Sequence, residues 1–193
     1  MQYLKQIVTA INTSIAAKLT DVRFDGADYN GIVTYANKDG KLMPLVTDSY
    51  DIDKYIGIDD TFPLRVYHRN NGMSYTDEPA KSYGSDGNTS KKEIANMSAI
   101  IYGSRSILRL TAEELEGAIM SGMPSAIADS TLSQLKIKSC LVRPVSSVLD
   151  PVINYATEYR TNEFPLGPNA LFIRLNYTIE SSYKNACFNI CDC

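Results

Sequence analysis

The 193-residue chain has no tryptophan, a single histidine and no apolar run near the roughly 20 residues that a membrane-spanning helix needs. It has no excess of positive charge either: 19 Lys and Arg stand against 22 Asp and Glu, a net charge of -3. Tight, non-specific binding to nucleic acid requires clustered Lys and Arg, so this balance argues against it. Phosphate-cradling loops are missing, with neither Gly-x-x-x-x-Gly-Lys nor Gly-x-Gly-x-x-Gly present. No Gly-x-Ser-x-Gly turn offers a nucleophile to the lone histidine, His68. These absences predict a protein that is not an enzyme, with no catalytic residue, no cofactor and no metal site.

What is present is the composition of a folded protein, 44% hydrophobic and 21% charged. A chain of this length buries roughly 70% of the surface its unfolded form exposes, enough for a core. Residues 1–19 do not read as a secretory signal, because Lys5, Gln6, Thr9, Asn12, Thr13 and Ser14 interrupt any apolar stretch. Folding in a cytoplasm is the expectation. Of the four cysteines, Cys187, Cys191 and Cys193 cluster in a short C-terminal tail, residues 184–193, and Cys140 stands alone. Tetrahedral zinc is usually held by two close pairs of ligands. Here Cys140 or His68 would have to supply the fourth from far away, so reduced thiols are expected.

Leu4, Ile7, Val8, Ile11, Ile15 and Leu19 recur at spacings of three and four and predict an amphipathic helix over most of residues 2–19. Such a stripe must dock on a sheet or on a partner. The turn dipeptides Asp25-Gly26, Asn30-Gly31 and Asp39-Gly40 then separate strand-like pieces at Val22-Phe24, Ile32-Ala36 and Leu42-Val46. Pro44 marks the last piece as an edge or an irregular segment. Leu64, Val66 and His68 alternate with Arg65, Tyr67 and Arg69, the pattern of a strand with one buried face. His68 is expected at its rim. A second alternating run spans Lys91 to Tyr102, and two more cover residues 135–142, which Pro144 ends, and 171–180. Thr111 and Glu114 form a capping box ahead of a helix that Gly122 and Pro124 close. Asp150-Pro151 opens a short helix through about Tyr159. The economical arrangement is α+β: an antiparallel sheet of about four main strands with helices packed on one face.

The oddest feature is residues 70–90, rich in Gly, Ser, Asn and Asp, which read as a long loop able to project on the order of 30 Å. Thirteen tyrosines occur in the chain, and Tyr75 and Tyr83 fall in this loop, where a monomer gains little from them. An interface at the loop is therefore expected, with Tyr75, Lys81, Tyr83, Lys91 and Lys92 as its candidate contacts. Two other functions remain open. A small-molecule or peptide binding module would place a pocket between helix and sheet. A hydrolase would pair His68 with an acid such as Asp51 or Asp53.

The order of elements, a leading amphipathic helix, two strands joined by a long extension, a capped helix and two closing strands ending in Ala170 to Ser182, resembles the tail-terminator and neck-ring proteins of tailed bacteriophages. The Asn, Ser and Tyr content without tryptophan is similar to that of virion proteins of crAss-like phages. The resemblance implies a structural virion subunit that assembles as a ring of six or twelve copies in the neck or tail. It further implies contacts with the portal and adjacent rings, a lumen through which DNA passes without specific binding, and assembly in the host cytoplasm with no membrane partner. Residues 70–90 would be the extension that reaches a neighbour, and residues 22–60 depart from the minimal pattern.

Overall fold

Leu4, Ile7, Val8, Ile11 and Ile15 are all wholly buried along one side of the first helix, α1 (Gln2–Lys18). They dock on the chain's own sheet, so the stripe is used internally. A computed structural model describes residues 2–38, 41–46, 55–56, 62–78, 90–128, 131–132, 137–160 and 167–183. The strands are β1 (Asp28–Lys38), β2 (Lys41–Val46), β3 (Leu64–Glu78), β4 (Ser90–Ser104), β5 (Ile137–Val148) and β6 (Ala170–Tyr183). They form one sheet in the order β2-β1-β3-β4-β6-β5.

This corrects the expected four-stranded antiparallel sheet in three respects. The sheet has six strands, and it is mixed, because β1 and β3 run parallel over Asp28–Ile32 and Arg65–His68. The reason is topological. Strand β2 returns antiparallel beside β1, and the chain then passes to the other side of β1, where a further reversal brings β3 into the direction of β1. Helices also cover both faces instead of one. Helices α1, α2 (Arg105–Leu108) and α3 (Ala112–Gly122) share a core with Ala95, Met97, Ala99 and Ile101 of β4. Helix α4 (Pro151–Tyr159) lies on the opposite face, where Tyr159 joins Tyr67, Ile100, Tyr102 and Phe172. Alternation along β4 and β6 feeds one core with odd-numbered residues and the other with even-numbered ones.

Local signals account for the helix ends. The Thr111 hydroxyl accepts from the Glu114 amide at 3.2 Å, and the Glu114 carboxylate accepts from the Thr111 amide at 2.8 Å. One Asp150 oxygen accepts from the amides of Val152 and Ile153, with Pro151 opening the helix. Both prolines in strands lie on the sheet's outer strands, Pro44 in β2 and Pro144 in β5, where a missing N–H leaves no gap in the ladder. Strand β5 therefore does not end at Pro144; it shifts register there and continues to Val148. Val22–Phe24 is a 3-10 turn, not a strand, because the Asp21 carboxylate caps it by accepting from the Arg23 amide.

Residues 70–78 are strand, and strand resumes at Ser90; residues 79–89 lie outside the described residues. The polar run after Asn70 has the composition of a loop, but it is a β-bulge followed by more strand. The Asn70 side chain accepts from the Gly72 amide at 2.9 Å, and Gly72 takes a φ of 135°, which favours glycine. Pairing with β4 then continues from Met73–Ala95 to Glu78–Ser90.

Candidate functional site

His68 does not sit at a rim. It is wholly buried, and both ring nitrogens are engaged. The Asn12 amide nitrogen donates to the Asn30 carbonyl at 2.8 Å, which leaves Asn12 Oδ1 as an acceptor for His68 Nε2–H, also at 2.8 Å. Nδ1 then accepts from the Tyr177 hydroxyl at 2.8 Å. This network assigns a neutral Nε2–H tautomer. Burial lowers the pKa of His68 to about 3 and raises that of Tyr177. The histidine ties α1, β3 and β6 together. Asp51 and Asp53, its suggested acidic partners, lie outside the described residues.

The opposite face of the sheet carries a site that sequence reading missed. Strands β1 and β3 are paired only as far as Ile32 and His68, and where they part a cleft of about 560 Å³ opens. It is lined by Tyr35 and Leu42, by Arg69 of β3, and by Thr157, Glu158 and Arg160 at the end of α4.

Glu158 Oε2 accepts from Arg69 Nη1 at 2.9 Å, and the Glu158 side chain has no exposed surface. Burial pushes its carboxyl up to about 7, against the lowering effect of the nearby Arg174 charge. The Arg69 contact pulls in the same direction as Arg174. Burial lowers the pKa of Arg69, and the like charge of Arg160 adds to that effect. Asn71 Oδ1 accepts from Arg69 Nε at 2.7 Å. Asn71 is itself held by a row of bonds crossing four strands: Asn71 donates to Ser98, Ser98 to Asn176, and Asn176 to Ser146, at 2.8, 2.7 and 3.0 Å. The Asn154 amide anchors α4 by donating to the Val148 and Phe172 carbonyls. Glu158 Oε1, the Tyr35 hydroxyl and Arg174 Nε are buried with no hydrogen-bond partner among the described residues. Tyr155 and Tyr159 stack at 4.5 Å behind the cleft. One signal was available in the sequence: Asn154 and Glu158, four apart, put two polar groups on the same side of a short helix as Tyr155 and Tyr159.

The expected interface residues separate. Tyr75 is 66% exposed on β3, and Lys91 stands opposite Asp77 in the β3–β4 ladder. Lys92 is engaged within the chain, its ammonium 2.7 Å from Glu180, which also pairs with Arg143 at 3.1 Å. Lys81 and Tyr83 lie outside the described residues.

The sheet edges are treated unequally. The outer side of β5 is occupied where Ile127 donates to the Cys140 carbonyl and Val142 to the Ser125 carbonyl. The outer side of β2 receives the Ile56 amide on the Pro44 carbonyl. Between Arg69 and Glu78, β3 pairs with β4 on one side and, among the described residues, with no strand on the other.

Cys140 is a buried free thiol, pushed up to about 11 by burial, with the Ser181 hydroxyl donating to its sulfur at 3.7 Å. Cys187, Cys191 and Cys193 lie outside the described residues, and among those described no cluster of His, Cys, Asp or Glu could hold a metal ion. No protein-family model and no curated protein matches this sequence.

Proposed function

We propose that this chain is a structural subunit that closes into a ring through its β3–β4 hairpin, as a neck or tail protein of a bacteriophage virion. The observation that supports the reading most is the long β3–β4 pair with one edge unpaired among the described residues, in a sheet whose two outer strands are both engaged. A strand edge is a template for main-chain pairing, and folded proteins normally block it. Here the outer edges are met by chain segments and prolines, while among the described residues no strand covers the far side of β3 over residues 69–78. Pairing of that edge with a different surface of a neighbour is heterologous, and heterologous contacts form closed rings when the rotation permits. Six or twelve copies would surround a lumen for DNA, with the portal and adjacent rings as partners. The net charge of -3 suits a channel wall along which phosphates slide. His68 has both ring nitrogens engaged in hydrogen bonds within the core, which is the role of a structural residue.

Native mass spectrometry and negative-stain imaging test it. A closed ring of six or twelve copies is expected from the full chain. A variant in which Asn-Gly replaces residues 74–94 joins Met73 to Ala95, which are directly paired, through a two-residue turn and removes the outer half of that edge. It should melt as a folded protein and fail to form the ring. A parent that stays monomeric, or a ring that survives the replacement, overturns the reading.

A further inference from the structure

We infer that the cleft between β1, β3 and the end of α4 binds an oxyanion carried on a flat apolar body, with the anionic head between Arg69 and Arg160 and the body against Tyr35 and Leu42. The inference stands on the cleft alone and holds whether or not the chain assembles.

Three observations carry it. The first is the fixed orientation of Arg69. Asn71 holds its Nε and Glu158 its Nη1, so two donors of the planar guanidinium are spoken for and the remaining N–H donors keep a set direction. A guanidinium fixed in this way loses less freedom on binding a carboxylate or phosphate, which is the benefit of preorganisation. The second is charge. Arg69 pairs with the Glu158 carboxylate, on which the charge of Arg174 also acts, and Arg160, lining the same cleft, bears on Arg69 as a like charge. An anion placed between the two guanidiniums relieves that repulsion.

The third is size and wall chemistry. A volume of about 560 Å³ falls within the range of small-molecule sites, and its lining joins an aromatic ring and a leucine to a few polar groups. Glu158 acts here as a positioning residue, since its carboxylate is buried and works through the bond from Arg69.

Carboxylate and phosphate heads share this chemistry, and the probes separate them. Phenylacetate, phenyl phosphate, acetate and inorganic phosphate are titrated into the full-length protein, with binding followed by amide chemical shifts and by calorimetry. One or both phenyl compounds should bind, about tenfold or more tighter than the corresponding bare anion, with shifts centred on Tyr35, Arg69 and Arg160. The preferred phenyl compound identifies the head group. R160Q, at an exposed position, should stay folded with unchanged oligomer mass and weaken binding by about tenfold. R69Q should weaken it at least as much. The proposal is overturned if no probe shifts the cleft residues, if a bare anion binds as tightly as its phenyl counterpart, or if R160Q binds like the parent.

Discussion

The side chains of His68 and Asn12 meet at 2.8 Å inside the protein, where a strand histidine donates to a helix asparagine that in turn donates to the Asn30 carbonyl. This contact fixes how α1 lies on the sheet. The stripe of Leu4, Ile7, Val8, Ile11 and Ile15 supplies burial without direction, since apolar contact is non-directional. Asn12, on the same buried side, supplies the register. Only one rotation and one axial position of α1 let Asn12 reach both Asn30 and His68.

Removing that contact should be expensive. H68A would leave the Asn12 oxygen and the Tyr177 hydroxyl without partners and open a cavity, a loss of about 3–5 kcal/mol. Chemical denaturation at pH 7 measures it. A loss below about 1 kcal/mol would mean that the network adds little to the apolar packing around it.

The same histidine should make the protein sensitive to acid. It takes a proton near pH 3 when folded but near 6.5 when unfolded. Between those values the unfolded chain holds more protons, so stability falls as pH falls, by up to about 5 kcal/mol over the whole window. H68Q, which does not titrate, should lose this fall: its stability should rise from pH 6.5 to 4.5, where Glu158 then acts alone, and stay flatter than the parent from pH 4.5 to 3. An unchanged acid limb in H68Q would place the sensitivity in other groups.

Glu158 should act with the opposite sign. Its carboxyl protonates near 7 when folded and near 4.5 when unfolded. Between those values the folded state holds more protons, so this contribution is fully present below pH 4.5 and is lost as pH rises through 7. The bound is about 3 kcal/mol, reduced by the ion pair with Arg69. His68 and Glu158 therefore oppose each other from pH 4.5 to 6.5, and the parent should look nearly flat there. E158Q should remove the compensation, giving a steeper fall toward acid and greater stability than the parent at pH 8. Denaturation midpoints at pH 5, 6.5 and 8 test both signs, and a parallel profile for E158Q would remove Glu158 from the account.

What could be read in the sequence was local. The spacing of Leu4 to Ile15, the Thr111–Glu114 box, the Asp150-Pro151 start and the alternation from Leu171 to Ile179 each depend on residues within a few positions of one another, and each forms its element. Pairing was not legible in the same way. Nothing near β1 signals that its second partner, β3, will arrive parallel, because that depends on how the chain crosses β1 after β2. The bulge at Asn70 to Gly72 carries turn residues, and it concealed the outer half of β3. Arg69 and Glu158 are 89 positions apart and meet only when α4 lies on the second face of the sheet. A model with helices on one face gave that pair no place to meet.

A close backbone approach between α1 and α3 offers the last prediction. A methyl group added at Gly122 would lie 2.8 Å from the α-carbon of Ile15 and 3.3 Å from its carbonyl oxygen. Both are backbone atoms, so no side-chain rotation can make room, and α1 and α3 would have to separate. That separation would pull Ile15 and Ile119 from the core and strain the reach of Asn12 to His68. Overpacking of this kind costs about 1–3 kcal/mol, which exceeds the helix propensity alanine gains over glycine. Gly117, in the same helix with nothing within 4 Å of an added methyl, is the control. G117A should be neutral or stabilising by up to about 1 kcal/mol, whereas G122A should lower the melting temperature. Equal effects of the two substitutions would show that α1 and α3 can part without loss, and the rigid docking of α1 through Asn12 would then have to be abandoned.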